Sequence, residues 1–366
     1  MAEQVVVIGA GVYGAAVTAE LARRGARVTV VDSGAPAAGT SGATFSWINS
    51  NGKQPRAYHD LSIAGMEAHR RLARDVPGCD WYHEGGNLEW ADGDTGQKAL
   101  SRKVDSVLGY GYEARWLTRD EASRLEPDLN PAELPAAGIA YFPSEGWIEP
   151  ARLVGHLLST AGAERVWNDT VTGIDVSEGL VRAVRLASGR RLTADAVMNC
   201  AGPQAAGIAA LAGLTLPMSN TRGVLVYTSP VAVGVSRVIH APGVHLRPDG
   251  GGRLLLHTHD IDDAVQVSDA GESIVDQSAV DKLMEAGCAL YPGIRAANVE
   301  SVRVGVRPIP DDGLPVLGRA PGLANFHFAV SHSGATLCLH AGALVAAEVL
   351  GEDRSTELGA FRVERY

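Results

Sequence analysis

The chain has 366 residues, 46% of them hydrophobic, and a formal net charge of −10. That is enough apolar material for one large domain or two interleaved ones, while the acidic balance and the lack of any basic run argue against a nucleic-acid-binding surface. Cys79, Cys200, Cys288 and Cys338 are scattered without a C-x-x-C spacing, so free thiols and a cytoplasmic setting are expected, with no signal peptide and no transmembrane segment. The run Val5-Val6-Val7-Ile8 reads as a strand buried on both faces. Gly9, Gly11 and Gly14 follow it with the spacing G-x-G-x-x-G. The first glycine permits a tight turn and the second lets backbone approach a pyrophosphate. The third lets the next helix, entered through Val12 and Tyr13, pack close to the strand. That helix spans Ala15 to Arg24, with Gly25 at its C-terminal end. Arg27 to Val31 is a second parallel strand, ending at Asp32, eighteen residues beyond Gly14, where an acid can bond ribose hydroxyls.

The loop from Gly34 to Thr44 carries no bulky side chain, as a segment passing close to a flat or phosphorylated group requires. Tyr58 to Leu72 has helical spacing through Leu61, Met66 and Leu72. Gly85 to Ala91 and Gly138 to Phe142 read as short strands. Thr118 N-caps a short helix, and Pro150 stands in the first turn of another. From Val166 to Leu192 the pattern alternates, predicting antiparallel strands around Ser177-Glu178-Gly179 and Ser188-Gly189. Asp195 to Gly202 is a buried strand ending in small residues, the shape of a second backbone approach to a dinucleotide. Residues from Met218 to about Val267 are strand-rich and hold several histidines, and Ser278 to Leu290 is helical. Val299 to Val306 is a strand running into Arg307-Pro308. Phe326 to Val330 is the last strand, Ser331 to Gly334 a turn, and Ala335 to Leu350 a long apolar helix. Dinucleotide elements thus fall at both ends and in the middle of the chain, which predicts interleaved domains.

Six motifs in one order carry a resemblance. They are Gly9/Gly11/Gly14 with Asp32, Gly86-Asn87-Leu88, Glu149-Pro150-Ala151-Arg152-Leu153, Asp195 to Pro203 with Arg222-Gly223, Gly305-Val306-Arg307-Pro308 with Asp312-Gly313-Leu314-Pro315, and the terminal His332-Ser333-Gly334 turn-helix. Over nearly its whole length the chain resembles the FAD-dependent superfamily of D-amino-acid oxidase, glycine oxidase and sarcosine oxidase. The resemblance implies a mixed α/β fold. A Rossmann-type FAD-binding domain (1–85, 150–217 and 305–366) would interleave with a substrate domain on a large, mostly antiparallel sheet (86–149 and 218–304). It implies that Gly9, Gly11 and Gly14 take the pyrophosphate, that Asp32 with Ser33 takes the adenosine ribose, and that Thr40 and Ser41 touch phosphate or the flavin edge. Val171 would meet adenine, and Ala201 and Gly202 would line the ribityl side. Covalent attachment is not expected, because the 305–309 segment has no cysteine and the Thr40 to Ser50 loop no histidine.

The residues add their own chemistry. Ser333 to Leu337 opens a helix whose first free N–H groups, from Gly334, Ala335 and Thr336, stabilise negative charge at reduced flavin. The resemblance implies that Arg307 pairs with a substrate carboxylate, for which its planar fork is suited, the alternative being a structural arginine that holds a domain interface. His245 stands where relatives often have a pocket tyrosine, with Arg247 on the same strand face, and His332 joins it as a catalytic candidate. His257 and His259 share a face if both lie on a strand. With Asp260 and Asp262 they could bind metal, line a polar substrate pocket or face solvent. The pocket is the expectation, and no metal. Trp47 shields the flavin or is core, and Lys53 either favours oxygen activation by its charge or lies at the surface, the second being the expectation. The expected reaction oxidises the C–N bond of an amino acid or related amine, with O2 or another acceptor taking the electrons. A 2-hydroxy-acid oxidase, a carrier-linked dehydrogenase and a flavin-bearing subunit of a hetero-oligomer are the alternatives.

Overall fold

The computed structural model describes residues 3–268 and 271–366. One sheet has six strands in the order Val316–Ala320, Leu323–Val330, Ala196–Asn199, Gln4–Ile8, Arg27–Val31 and Glu164–Val166. Its neighbours are parallel except the first pair. Along Gln4–Ile8 the pleat sends Val5 and Val7 into one core and Val6 and Ile8 into another. Both faces are covered, which is why the run is apolar without alternation. On one face the helix Val12–Arg23 packs against the helix Gly334–Val349. Small residues set their separation: a Cβ on Gly342 would stand 3.2 Å from the Cβ of Ala16. At the start of the second helix, a Cβ on Gly334 would meet the Tyr13 ring at 3.3 Å. The two helix N-termini therefore open side by side.

A second sheet has eight strands in the order Val299–Arg307, Thr221–Thr228, Leu254–His257, Val244–Pro248, Val238–Ala241, Asn87–Glu89, Ile139–Phe142 and Arg115–Leu117. All its pairs are antiparallel except Val238–Ala241 with Asn87–Glu89. One face packs on the helix Gln277–Leu290. The two sheets meet where the small-residue loop crosses Val299–Arg307. Thr40 Oγ1–H donates to the Val306 carbonyl at 2.6 Å, and a Cβ on Gly305 would overlap the Ala43 carbonyl oxygen at 2.1 Å. That close crossing requires glycine at 305 and small residues in the loop.

The fold is the mixed α/β architecture expected, with one correction to its strands. Val166 ends a parallel edge strand, pairing with Val31. The antiparallel set begins only at Val171 and comprises Val171–Ser177, Leu180–Leu186 and Arg191–Thr193. The intervening Trp167 to Thr170 carries the chain out of the six-stranded sheet and into this separate three-stranded one. Thr118 caps the helix Arg119–Leu125 through a full capping box with Glu121. Among the described residues no helix is long and apolar enough to cross a membrane.

Candidate active site

A cavity of about 460 Å³ follows the C-terminal ends of the parallel strands, touching Ile8, Val31 and Val330, where open α/β sheets place their ligands. Gly9 has φ +102°, and a Cβ there would lie 2.4 Å from the Cys200 carbonyl oxygen. A Cβ on Gly14 would lie 1.8 Å from the Gly9 oxygen. Gly14 therefore sets the strand-to-helix distance and stays outside the cavity lining. A Cβ on Gly11 would come within 2.9 Å of Ser41 Oγ, which accepts the Val12 N–H at 3.1 Å. Asp32 already holds backbone: Oδ2 accepts Ala10 N–H at 2.7 Å and Oδ1 accepts Gly34 N–H at 2.8 Å. Its carboxylate thus shapes the glycine turn and keeps lone pairs free toward the cavity.

Of the residues the sequence pointed to, Gly9, Gly11, Val12, Tyr13, Asp32, Ser33, Thr40 and Ser41 line this cavity, as do Val171, Ala201, Gly202, Gly334, Ala335 and His332. Neither helix has a side-chain cap at its start, so their positive ends face the cavity together. A glycine cradle that a Cβ would fill, an acid at the second strand and two open helix ends fit FAD. Trp47, Arg307, Ser333, Thr336 and Leu337 do not line it. Leu337 is core, and the Thr336 hydroxyl accepts Asn49 N–H and donates to the Trp47 carbonyl, both at 3.3 Å. Ser333 Oγ accepts from Lys53 Nζ at 2.9 Å and shares a 2.6 Å hydrogen bond with Tyr58.

Side chains of the eight-stranded sheet make a second constellation. Strand register pairs Glu89 with His240, His240 with His245, and His245 with His257. Directly opposed residues share a face, so one acid and three imidazoles form a row across four strands. His259 is not on the strand as expected: the strand stops at His257, and His259 opens the short helix His259–Asp262. The turn still folds its exposed ring back, to 5.4 Å from His257 and 5.7 Å from His245, centroid to centroid. Phe45 packs on His240 and His257, and Trp47 lies 4.3 Å from His240. Trp47 therefore belongs to this wall. Arg247 shares the face of His245 but is buried under the loop, donating to the Phe45 carbonyl at 2.6 Å and to Ser46 Oγ at 3.0 Å. Burial holds the imidazoles of His240 and His245 well below the ordinary histidine range and lowers that of His257, which favours the neutral forms at pH 7.

Arg307 ends its strand as expected, but its side chain is engaged. Nη2 donates to Asp262 Oδ2 at 2.7 Å and Nη1 to the Arg222 carbonyl at 2.8 Å. The guanidinium lies flat over Gly223, where a Cβ would overlap Nη2 at 2.5 Å. Asp262 Oδ1 in turn accepts Val224 N–H at 2.7 Å. His332 joins the two constellations. It lines the cavity, and burial with the nearby charges of Lys53, Arg307 and His259 pushes it down to about 4.

Two groups behind the wall are buried in a way the sequence does not show. Lys53 is not a surface lysine. It is half-buried against Ser333 and Tyr58, and burial lowers it to about 8. Glu145 is fully buried, accepting Trp47 Nε1–H and Tyr112 O–H, each at 2.8 Å, and burial raises it to about 8. No spacing marks either residue; only the packing of Trp47 and the last long helix brings them in.

A family model described as FAD-dependent oxidoreductase matches residues 4–348. A glycine oxidase of Geobacillus kaustophilus is 28% identical over 99% of this chain and 97% of its own length. The crystal structure of glycine oxidase from that organism superposes with a TM-score of 0.85, covering 100% of this chain and 99% of that one at 27% identity. A bifunctional tRNA 5-methylaminomethyl-2-thiouridine biosynthesis protein of Chromohalobacter salexigens is 31% identical over 89% of this chain, which spans 50% of that protein. An L-amino acid deaminase of Proteus vulgaris shares the fold at a TM-score of 0.86 and 15% identity.

Proposed function

This chain belongs to the DAO family of FAD-dependent oxidoreductases, and we propose that within it the protein oxidises the C–N bond of an amino acid or related amine, on FAD held without a covalent link. What FAD supplies when bound is acceptance of a hydride at N5 and its onward delivery, as electrons, to O2 or another acceptor. The cavity residues would hold it: the Gly9–Gly14 turn at the pyrophosphate, Asp32 and Ser33 at the ribose, and Val171 at adenine. Gly334 and Ala335 at the open helix end face the part that becomes negative. The cleft elements are assigned to the FAD-binding part of the chain and the histidine-bearing sheet to the substrate part.

The observation that carries the reading is the meeting of cleft and wall at His332. His332 and Pro308 line the cavity, and His332 feels the charges of Arg307 and His259, the latter packed against His245 and His257. Arg307 keeps N–H groups beyond those given to Asp262 and Arg222, and these suit the carboxylate of a substrate. The imidazoles add hydrogen-bonding edges without charge, and desolvation of a bound amine against the wall would lower its pKa toward neutrality. A neutral amine has the lone pair that C–H cleavage needs, so the chain is not asked for a strong base. The protein's share is to orient the α-carbon and exclude water. The acidic balance argues against an RNA substrate, and four free cysteines fit a reducing compartment.

The test is anaerobic mixing of the yellow holoenzyme with a panel of amino acids, N-methylated amino acids, amines and 2-hydroxy acids. Bleaching of the flavin by amines and not by hydroxy acids is expected. Bleaching by hydroxy acids alone would replace this reading.

A further inference from the structure

We propose that His245, His257 and His259 form a binding site for one divalent transition-metal ion. One ring nitrogen from each lies within 4.8 Å of the other two. Sheet register fixes the first pair as direct cross-strand partners, and the turn through Thr258 returns the third. Three imidazoles around a tetrahedral ion need nitrogens about 3.4 Å apart, from metal–nitrogen bonds of about 2.0–2.1 Å. Two of the rings sit on the rigid sheet. The third is exposed on a helix of four residues, so a small movement of His259 closes the set.

The surroundings have the form of a metal site's outer shell. His257 donates its Nδ1 proton to the Val224 carbonyl at 3.0 Å, which leaves Nε2 as the nitrogen with a lone pair. Asp262 stands beside both movable and fixed ligands, 3.7 Å from His257 Nδ1 and 4.0 Å from His259 Nδ1. It is itself held by Val224 N–H and Arg307. A carboxylate and a carbonyl behind ligating histidines fix ring orientation and raise ligand basicity. An all-nitrogen donor set of this kind suits zinc, nickel or copper rather than magnesium or calcium. Three protein ligands leave one position open, and all three are neutral imidazoles, so that position favours an anionic ligand. The site depends on the eight-stranded sheet and not on the flavin reading.

The test is equilibrium dialysis of untagged holoenzyme, stripped with a chelator, against zinc alone, with bound metal read by elemental analysis and flavin content as the check on folding. One zinc per chain is expected. His259→Ala, at an exposed position, lowers the affinity at least roughly a hundred-fold while flavin content stays at the parent level, and Asp262→Asn lowers it by about ten- to a hundred-fold. His340→Ala, on the last long helix, leaves it unchanged. Absence of stoichiometric zinc, or zinc binding that His245→Ala and His259→Ala both leave intact, overturns the site. Zinc bound by an enzyme whose flavin no amine reduces keeps this site and removes the proposed function instead.

Discussion

The cavity at the parallel sheet is made from backbone and from side chains that are missing. Gly9, Gly11 and Gly14 act by having no Cβ, and the helix starting at Gly334 acts through its free amides. The histidine row on the antiparallel sheet is made entirely from side chains, set in place by which strand lies beside which. The first kind of site binds a part common to many ligands, a pyrophosphate, because amides at a fixed spacing suit any such group. The second is adjustable one residue at a time without touching the scaffold. A protein with both keeps its cofactor site constant while its substrate site varies.

Breaking the first region has the largest effect. Gly14→Ala puts a Cβ 1.8 Å from the Gly9 oxygen, forcing the helix off the strand. A loss of at least about 3 kcal/mol in denaturant melts is expected, with no flavin retained. Gly11→Val adds a branched side chain where the Cβ alone reaches Ser41. This variant folds, because Gly11 faces the cavity and not the core, but it purifies colourless. A yellow Gly11→Val protein would show that the turn does not approach the pyrophosphate.

The same contrast explains what the sequence could disclose. The glycine turn, Asp32 and the open helix are local patterns, and all are visible at fixed spacing. Even so, the spacing assigned Asp32 a ribose and left unseen that its oxygens brace Ala10 and Gly34. The wall could not be read in the same way. His240, His245 and His257 are neighbours only through strand register, which no spacing encodes. His259 was placed on a strand that ends two residues earlier, and the partner of Arg307, Asp262, lies 45 residues away in the chain. Lys53 and Glu145 gave no signal because burial of a charged residue is a property of the packed chain.

Behind the wall, Glu145 offers a test that turns on pH. Burial raises its folded pKa from the ordinary carboxylate value of about 4.5 to about 8, so its stabilising contribution is complete below about pH 4.5. That contribution is lost as pH rises through about 8. Glu145→Gln removes the charge while still accepting one hydrogen bond. In thermal melts the variant gains on the parent as pH rises from 5 to 9, by on the order of a few kcal/mol at most. A constant difference across that range would mean that the carboxyl ionises freely in the folded protein. The smallest effect belongs to neither region. Thr118→Ala removes an exposed capping box and costs about 1 kcal/mol, with flavin content and turnover unchanged.

The central claim, that backbone holds the cofactor while side chains of the wall hold the substrate, is tested most directly at Arg307, where the two regions adjoin. The measurement is flavin content together with anaerobic bleaching of Arg307→Ala, using a carboxylate-bearing substrate and its decarboxylated amine. Full flavin content is predicted. Reduction by the carboxylate substrate should weaken by about 2–5 kcal/mol, or thirty-fold and more, with the amine largely spared. Loss of flavin, or equal losses on both compounds, would contradict the account and make Arg307 a brace between the sheets.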